Sequence, residues 1–148
     1  MKWFKIILLI LWMGVIFSFS NQTGTSSSSL STTVLTKIAV TIDKDMTEKE
    51  IDEFVDKYSF IIRKIAHLSV YFILGILAYI NLREYMKVTP ALVIYSIIFC
   101  FVYASTDEIH QLLVNGRSGN ICDVILDTCG ATLSIIMLYY FSRRRLKK

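Results

Sequence analysis

Four long apolar runs, each bounded by polar or charged residues, dominate the sequence. They cover residues of about 3–19, 62–82, 88–110 and 121–141. Since a transmembrane helix needs about 17 to 25 mainly apolar residues, each run is long enough to span a bilayer. The pattern predicts an all-α integral membrane bundle of four transmembrane helices, formed by a single domain over residues 1–148.

The first apolar run allows two interpretations. It follows Lys2 and Lys5 and ends in Ser18-Phe19-Ser20, whose small residues satisfy the pattern of a signal-peptide cleavage site. With Trp3 and Phe4 included, however, it reaches the minimum length of a transmembrane helix, and Lys5 can extend its ammonium to the membrane interface. A retained helix is favoured, and a cleaved signal remains the alternative.

A polar stretch at residues 20–59 separates the first run from the second. It begins with a Ser/Thr-rich run, Thr23 to Thr33, and later contains Thr47 followed by Glu50, the spacing of a capping box. After that box, apolar residues recur at helical spacing opposite charged ones, at Ile51, Phe54, Val55 and Tyr58. This part predicts a short external amphipathic helix, which lies on the membrane surface or the bundle or else binds a partner.

Composition supports a membrane protein. The 148 residues are 54% hydrophobic and 19% charged, whereas soluble domains average about 25% charged residues. The net charge of +4 does not indicate nucleic acid, because the basic residues stand at the ends of apolar runs without interleaved aromatics. Cys100, Cys122 and Cys129 lie in apolar stretches without a CxxC pair, so the sequence implies neither a disulfide framework nor a zinc ribbon.

The distribution of Lys and Arg predicts the orientation. Three segments that share one side of a four-span bundle carry nine basic residues, whereas the other side carries Arg63 and Lys64 near the second span. Basic residues in short flanking segments favour the cytoplasm. We therefore expect a multi-pass protein of the cell membrane with both termini cytoplasmic and the loop at residues 20–59 external. The nine are Lys2, Lys5, Arg83, Lys87, Arg143, Arg144, Arg145, Lys147 and Lys148.

Polar residues mark one end of every span, and alternating directions bring these ends to one face. The candidate ligand-binding or coupled polar site consists of Lys64, His67, Asp107, Glu108, His110, Gln111, Arg117, Asp123 and Asp127. Residues three or four apart share a helix face, so Asp123 and Asp127 point the same way. An unpaired carboxylate at the depth of Asp127 costs about 1 to 3 kcal/mol and must face a partner or water. The glycine-rich turn around Arg117 is expected to direct this guanidinium at the carboxylates.

Several chemistries suit this cluster. An ion-pair network that ties the helix ends together is one, and a phosphate site formed by Lys64, His67, His110 and Arg117 is another. A divalent cation bound by Asp107, Glu108, His110 and His67 is only weakly indicated by the spacing. Acid–base catalysis is permitted but not indicated, since the sequence contains no nucleophile elbow, HExxH, P-loop or dinucleotide-binding glycine pattern.

The same polar residues belong to a set of short motifs that spans nearly the whole chain. The motifs are Phe17 to Gly24, Arg63 to His67, Tyr71 to Gly75, Asp107 to Gln111, Gly116 to Gly119, Asp123, Asp127 and Gly130-Ala131. In combination they resemble the VanZ-like family of small bacterial membrane proteins. The resemblance implies a multi-span protein of the cell envelope, and the namesake of the family is associated with low-level resistance to teicoplanin. It implies no particular reaction.

We therefore expect a cell-envelope membrane protein whose outward-facing ionisable site binds an anionic or lipid-linked envelope ligand and which lowers susceptibility to teicoplanin. Its expected partners are membrane lipids and, as a candidate, a lipid-linked envelope precursor. Two alternatives remain: a membrane-embedded hydrolase or transferase acting on a lipid phosphate, and a small proton-coupled transporter. The sequence leaves the ligand, the cofactor, any metal and the oligomeric state open.

Overall fold

A computed structural model describes residues 2–22, 24–117 and 119–146, except for the side chains of residues 24–28. The described residues form five helices and no strand. The helices are α1 (Lys2–Ser20), α2 (Gly24–Ile42), α3 (Glu48–Leu82), α4 (Pro90–Gln111) and α5 (Ile121–Leu146). Of these, α1, α3, α4 and α5 are long and apolar enough to cross a membrane. The all-α fold class with four spans is thus confirmed.

Local capping explains where two of the helices begin. At the start of α3, the backbone N–H of Thr47 donates to Glu50 Oε2 at 2.8 Å, and the N–H of Glu50 donates to Thr47 Oγ1 at 3.4 Å. This is the predicted capping box, which satisfies two N–H groups that lack partners within the helix. At the start of α5, Asn120 Oδ1 accepts from the N–H of Cys122 at 3.0 Å.

The region before the second span differs from the prediction. The amphipathic segment is not a separate helix, because it continues into the span as one helix of 35 residues. The Ser/Thr-rich stretch, for which no helix was predicted, forms about the first half of α2, which packs against α3. Leu35 and Ala39 are buried there, and the Thr33 hydroxyl donates to the carbonyl of Ser29 at 2.9 Å, so its polar group is satisfied within the helix.

The close approach of α3 and α5 forms the centre of the bundle. A Cβ added to Gly75 would lie 2.8 Å from Cα of Ala131, and one added to Gly130 would lie 2.5 Å from the carbonyl oxygen of Leu68. Side chains at these positions would therefore push the helices apart. Small residues at such positions are the usual way for membrane helices to gain close packing.

Hydrogen bonds between α1 and its neighbouring helices fix α1 against the α3–α5 pair. Trp12 Nε1 donates to the carbonyl of Val70 on α3 at 3.0 Å. The Tyr103 hydroxyl of α4 donates to the carbonyl of Met13 at 2.7 Å. At the end of the bundle where α1 begins, Lys5 forms an ion pair with Glu84. Helix α1 is thus an integral wall of the bundle.

Candidate functional site at one end of the bundle

The polar ends of the four candidate spans meet at one end of the bundle. The ring of Phe17 near the end of α1 stacks on His110 of α4, with ring centroids 4.6 Å apart. Lys64 of α3 forms an ion pair with Asp123 near the start of α5. The prediction that alternating helices bring these polar sets to one face agrees with this arrangement.

Contacts between ionisable side chains connect α3 with α5. Besides the pair of Lys64 with Asp123, Nδ1 of His67 lies 3.4 Å from the carboxylate of Asp127. The side chain of Asp127 is completely buried, as its depth in the span predicted. The three- and four-residue spacings place each set on one side of its helix, so the two contacts lie in successive layers.

The carboxylates of α4 are also buried and are held by specific donors. Gln111 Nε2 donates to Glu108 Oε1 at 3.0 Å and to Asp107 Oδ2 at 3.2 Å. The other oxygen of Glu108 accepts from the backbone N–H of Asn120 at 3.0 Å, which ties the end of α4 to the start of α5. These hydrogen bonds fix the positions of both carboxylates.

A cavity of about 370 Å³ opens beside these residues, between α1, α2, α3 and the end of α4. Its walls are largely apolar, with some charged and polar side chains among the lining residues. The hydroxyls of Ser20 and Tyr71, two lining residues, are buried and have no hydrogen-bond partner among the described residues. The other lining residues are Ile16, Phe19, Gln22, Leu30, Ser31, Val34, Ile62, Arg63, Ala66, His67, Ser69, Val70, Asp107, Gln111 and Arg117.

The cavity suits a molecule that is apolar over most of its length and polar at one end. Its volume falls within the range of about 300 to 1,000 Å³ that is usual for ligand pockets. Arg63 and Arg117 supply planar cationic donors that match phosphate or carboxylate oxygens. The buried hydroxyls of Ser20 and Tyr71 would gain a partner from such a polar group.

Comparison with known proteins identifies the family. A family model described as VanZ/LLP1 matches residues 4–143. The chain belongs to the VanZ/LLP1 family. The match includes every residue of the predicted polar site, so this resemblance to VanZ-like proteins is confirmed. Neither a search of curated proteins nor a search of solved structures gives a match.

In this VanZ/LLP1 protein the arginine of the turn between α4 and α5 differs from the prediction. Arg117 Nη1 donates to the carbonyls of Phe19 and Ser20, at 2.9 and 2.8 Å, instead of pairing with a carboxylate. The last carbonyls of a helix lack intrahelical partners and form its negative end, so a guanidinium is favourable there. Gly116, with a φ of 74°, shapes the turn that brings Arg117 to α1.

The four residues considered as ligands of a divalent cation do not all lie close together. The structure brings His67 and Glu108 together and adds Asp127, with ligand atoms of the three within 4.8 Å of one another. Asp107 instead accepts from Gln111. His110 stacks on Phe17, and its Nε2 is buried without a hydrogen-bond partner among the described residues.

Sequence reasoning missed the wall that α2 contributes. Leu30, Ser31 and Val34 of this helix line the cavity of the VanZ/LLP1 protein. Apolar residues at Leu30, Val34 and Ile38 recur every four positions, a helical spacing that the abundance of Ser and Thr obscured. Arg63, which belongs to the motif from Arg63 to His67 but was not included in the predicted site, also lines the cavity.

Proposed function

We propose that this VanZ/LLP1 membrane protein binds the phosphate head group of an envelope lipid in the cavity between α1, α2 and α3. The observation that carries the proposal is the combination, in one cavity, of apolar walls from three helices with Arg63 and Arg117. Acyl or prenyl chains suit such walls, and charge-assisted hydrogen bonds from guanidinium groups are among the strongest contacts to phosphate.

The head group would lie on the arginine side of the cavity. Asp107 lines the cavity too, and its carboxylate opposes an anion, but Gln111 donates to it and reduces that repulsion. The buried hydroxyls of Ser20 and Tyr71 would then donate to phosphate oxygens. Diacyl phospholipids and polyprenyl-linked precursors share this chemistry.

The envelope is the compartment that the charge distribution favours. The cavity lies at the end of the bundle opposite Arg83 and the basic end of α5, which follow the positive-inside pattern. With both termini in the cytoplasm, the cavity opens near the outer surface of the cell membrane. A ligand from the outer leaflet would reach it by lateral diffusion.

Lipid titration of the purified chain tests the proposal. In detergent, phosphatidic acid and undecaprenyl phosphate, which share a phosphate monoester but differ in their tails, are compared with phosphatidylcholine by native mass spectrometry. We expect Arg63→Gln to weaken binding of both phosphate monoesters by about tenfold, the effect of losing one charged hydrogen bond. Arg145→Gln, at the opposite end of α5, is the matched control and should change nothing.

The outcomes separate the alternatives. Preference for undecaprenyl phosphate over phosphatidic acid would identify a lipid-linked precursor, and the reverse would identify a phospholipid. Equal binding of phosphatidylcholine, or equal weakening by Arg63→Gln and Arg145→Gln, would refute recognition of the head group in this cavity.

The finer proposal is that this binding lowers susceptibility to teicoplanin. Teicoplanin carries an acyl chain and acts close to the membrane, so a protein that binds a surface lipid would reduce its action more than that of unacylated vancomycin. Overproduction in a susceptible Gram-positive host should raise the inhibitory concentration of teicoplanin, and Arg63→Gln expressed at the same level should abolish the increase. Equal protection against both antibiotics, or full protection by the variant, would contradict this mechanism.

A further inference from the structure

We propose that His67, Glu108 and Asp127 bind a divalent transition-metal ion at the junction of α3, α4 and α5. Each residue comes from a different helix, and one imidazole nitrogen and two carboxylate oxygens lie within 4.8 Å of one another. In a four- to six-coordinate ion with bonds of about 2.0 to 2.2 Å, neighbouring ligand atoms are about 3 to 3.5 Å apart. Small side-chain rotations would bring the three ligands to that spacing.

The strongest observation is the state of Asp127. Its side chain is completely buried, and its Oδ1 has no hydrogen-bond partner among the described residues. An ionised carboxylate that is buried without adequate pairing costs several kcal/mol, and a bound cation would offset this cost. The contact with His67 at 3.4 Å is long for a hydrogen bond, which leaves the Asp127 carboxylate poorly satisfied by the protein alone.

The neighbouring cation does not supply this compensation. Lys64 is the Lys or Arg residue closest to His67 along α3, and it forms its ion pair with Asp123. Glu108 adds a second buried carboxylate to the same cluster. When both are ionised, the two buried carboxylates that face a single imidazole form a negatively charged pocket, which a divalent ion would neutralise.

The surrounding contacts also resemble the outer shell of a metal site. Gln111 donates to one oxygen of Glu108, and the backbone N–H of Asn120 donates to the other. Such hydrogen bonds orient ligating carboxylates and fix their position before the ion binds. One turn further along α5, Gly130 lies close to the backbone of Leu68, and this close packing brings the ligand-bearing stretches of α3 and α5 near each other.

The ligand set selects the class of ion. One imidazole and two carboxylates suit Zn²⁺, Mn²⁺ or Fe²⁺ better than Ca²⁺, which takes six to eight oxygen ligands. Three protein ligands leave at least one coordination position open. His67 also lines the cavity, so the ion would lie at its edge. The metal site itself does not require that a lipid occupy the cavity.

Metal titration of the full chain tests this inference. The protein is purified in detergent, stripped with a chelator, and titrated with Zn²⁺ or Mn²⁺ alone, without added lipid. After desalting, elemental analysis should find one ion per chain. Asp127→Asn and Glu108→Gln should retain less than about a tenth of that amount, because even the loss of an outer-shell partner commonly weakens metal binding about 10- to 100-fold. Asp56→Asn, an exposed carboxylate on α3, is the matched control and should retain the full amount.

A measurement on the wild-type chain guards against misfolded variants. Electron spin echo envelope modulation of bound Mn²⁺ should show coupling to a ¹⁴N nucleus of the His67 imidazole, and His67→Gln should remove it while the circular dichroism of the helices is unchanged. Absence of a retained ion, absence of ¹⁴N coupling, or equal retention by Asp127→Asn and the wild type would overturn the proposal. Since lipid is omitted, failure here is distinct from failure of lipid binding.

Discussion

At the scale of single residues, the contact of His67 with Asp127 partly offsets the cost of burying an ionisable pair inside a membrane span. The carboxylate is fully buried, and the imidazole lies 3.4 Å away across the interface of α3 and α5. Removing one partner of such a pair commonly costs more than the pair contributes, because the other group is left uncompensated. The two residues should therefore depend on each other energetically.

A double-mutant cycle measures this dependence. In detergent with a chelator present, we expect His67→Gln and Asp127→Asn to be coupled by about 0.5 to 3 kcal/mol in the free energy of unfolding. Arg117→Gln and Asp127→Asn should instead add within about 0.5 kcal/mol, because Arg117 bonds to the carbonyls of α1 and not to Asp127. The opposite result, with coupling to Arg117 and none to His67, would support the arrangement that the sequence first suggested.

At the scale of helices, the contact of α3 with α5 depends on the absence of side chains at two positions. A Cβ at Gly130 would meet the carbonyl oxygen of Leu68, which is backbone and cannot rotate away. The same helices carry Lys64, His67, Asp123 and Asp127, so the helix spacing sets the distances in the polar cluster. A change in packing there is transmitted directly to the candidate site.

Gly130→Ala should therefore destabilise the folded protein by about 1 to 3 kcal/mol through overpacking. Gly14→Ala in α1 is the control, because a Cβ there would meet nothing within 4 Å. Alanine also has the higher helix propensity, so the control should be neutral or stabilising. Thermal unfolding followed by circular dichroism checks both. Equal midpoints for Gly130→Ala and the wild type would mean that the helices separate easily.

The docking of α1 should depend on pH through Glu84, which lies outside the spans. A hydrogen bond from Lys5 lowers the pKa of Glu84 below its usual value of 4.5. The ion pair therefore stabilises the docked helix above that value, and the contribution is lost as the pH falls through the lowered pKa. Glu84→Gln should lower the thermal midpoint at pH 7, and the difference from the wild type should vanish on acidification.

Trp12 is a convenient reporter of that docking, because its indole donates to the carbonyl of Val70. With Trp3→Phe as the background, its fluorescence gives the unfolding midpoint of α1 at each pH. If the unfolding midpoints of Glu84→Gln and the parent still differ at acid pH, the difference does not come from the charge of Glu84.

The sequence predicts some of these elements and contacts better than others. The spans follow from the apolar runs, and the shared polar end follows from the alternating directions of the spans. The proximity of Lys64 to Asp123 could therefore be expected from the sequence. The continuity of α3 is consistent with the lack of Gly and Pro between Glu48 and Ile65. The contacts of Arg117 could not be predicted from the sequence, because they depend on a turn that meets α1, about 100 residues away along the chain.

At the scale of the whole molecule, orientation in the membrane is the main remaining prediction. We expect the connection between α2 and α3 to be external and the connection between α3 and α4 to be cytoplasmic, because of the excess of basic residues on one side. Asp45→Cys and Lys87→Cys, each in a background without Cys100, Cys122 and Cys129, can be labelled in intact cells with an impermeant maleimide. Asp45→Cys should react and Lys87→Cys should not.

The reverse labelling pattern would show that the protein has the opposite orientation, with the cavity at the cytoplasmic surface. Sequencing of the mature N-terminus belongs to the same experiment. Cleavage after Ser20 would remove α1, which contributes Ile16 and Phe19 to the cavity. An intact α1 would agree with the retained helix that the sequence favours.

The length of α3 limits which insertions this fold can accept, because an insertion changes the rotation of one part of the helix relative to the other. Its 35 residues extend about 52 Å, roughly 20 Å more than the hydrocarbon core of a bilayer. One unbroken helix thus carries both the surface that holds α2 and the face with His67. Inserting one residue between Tyr58 and Ile62 would rotate the two parts of α3 by about 100° relative to each other. Inserting seven would change the phase by only about 20° while lengthening the helix by about 10 Å. Natural length variation in this segment should therefore occur in steps that preserve phase.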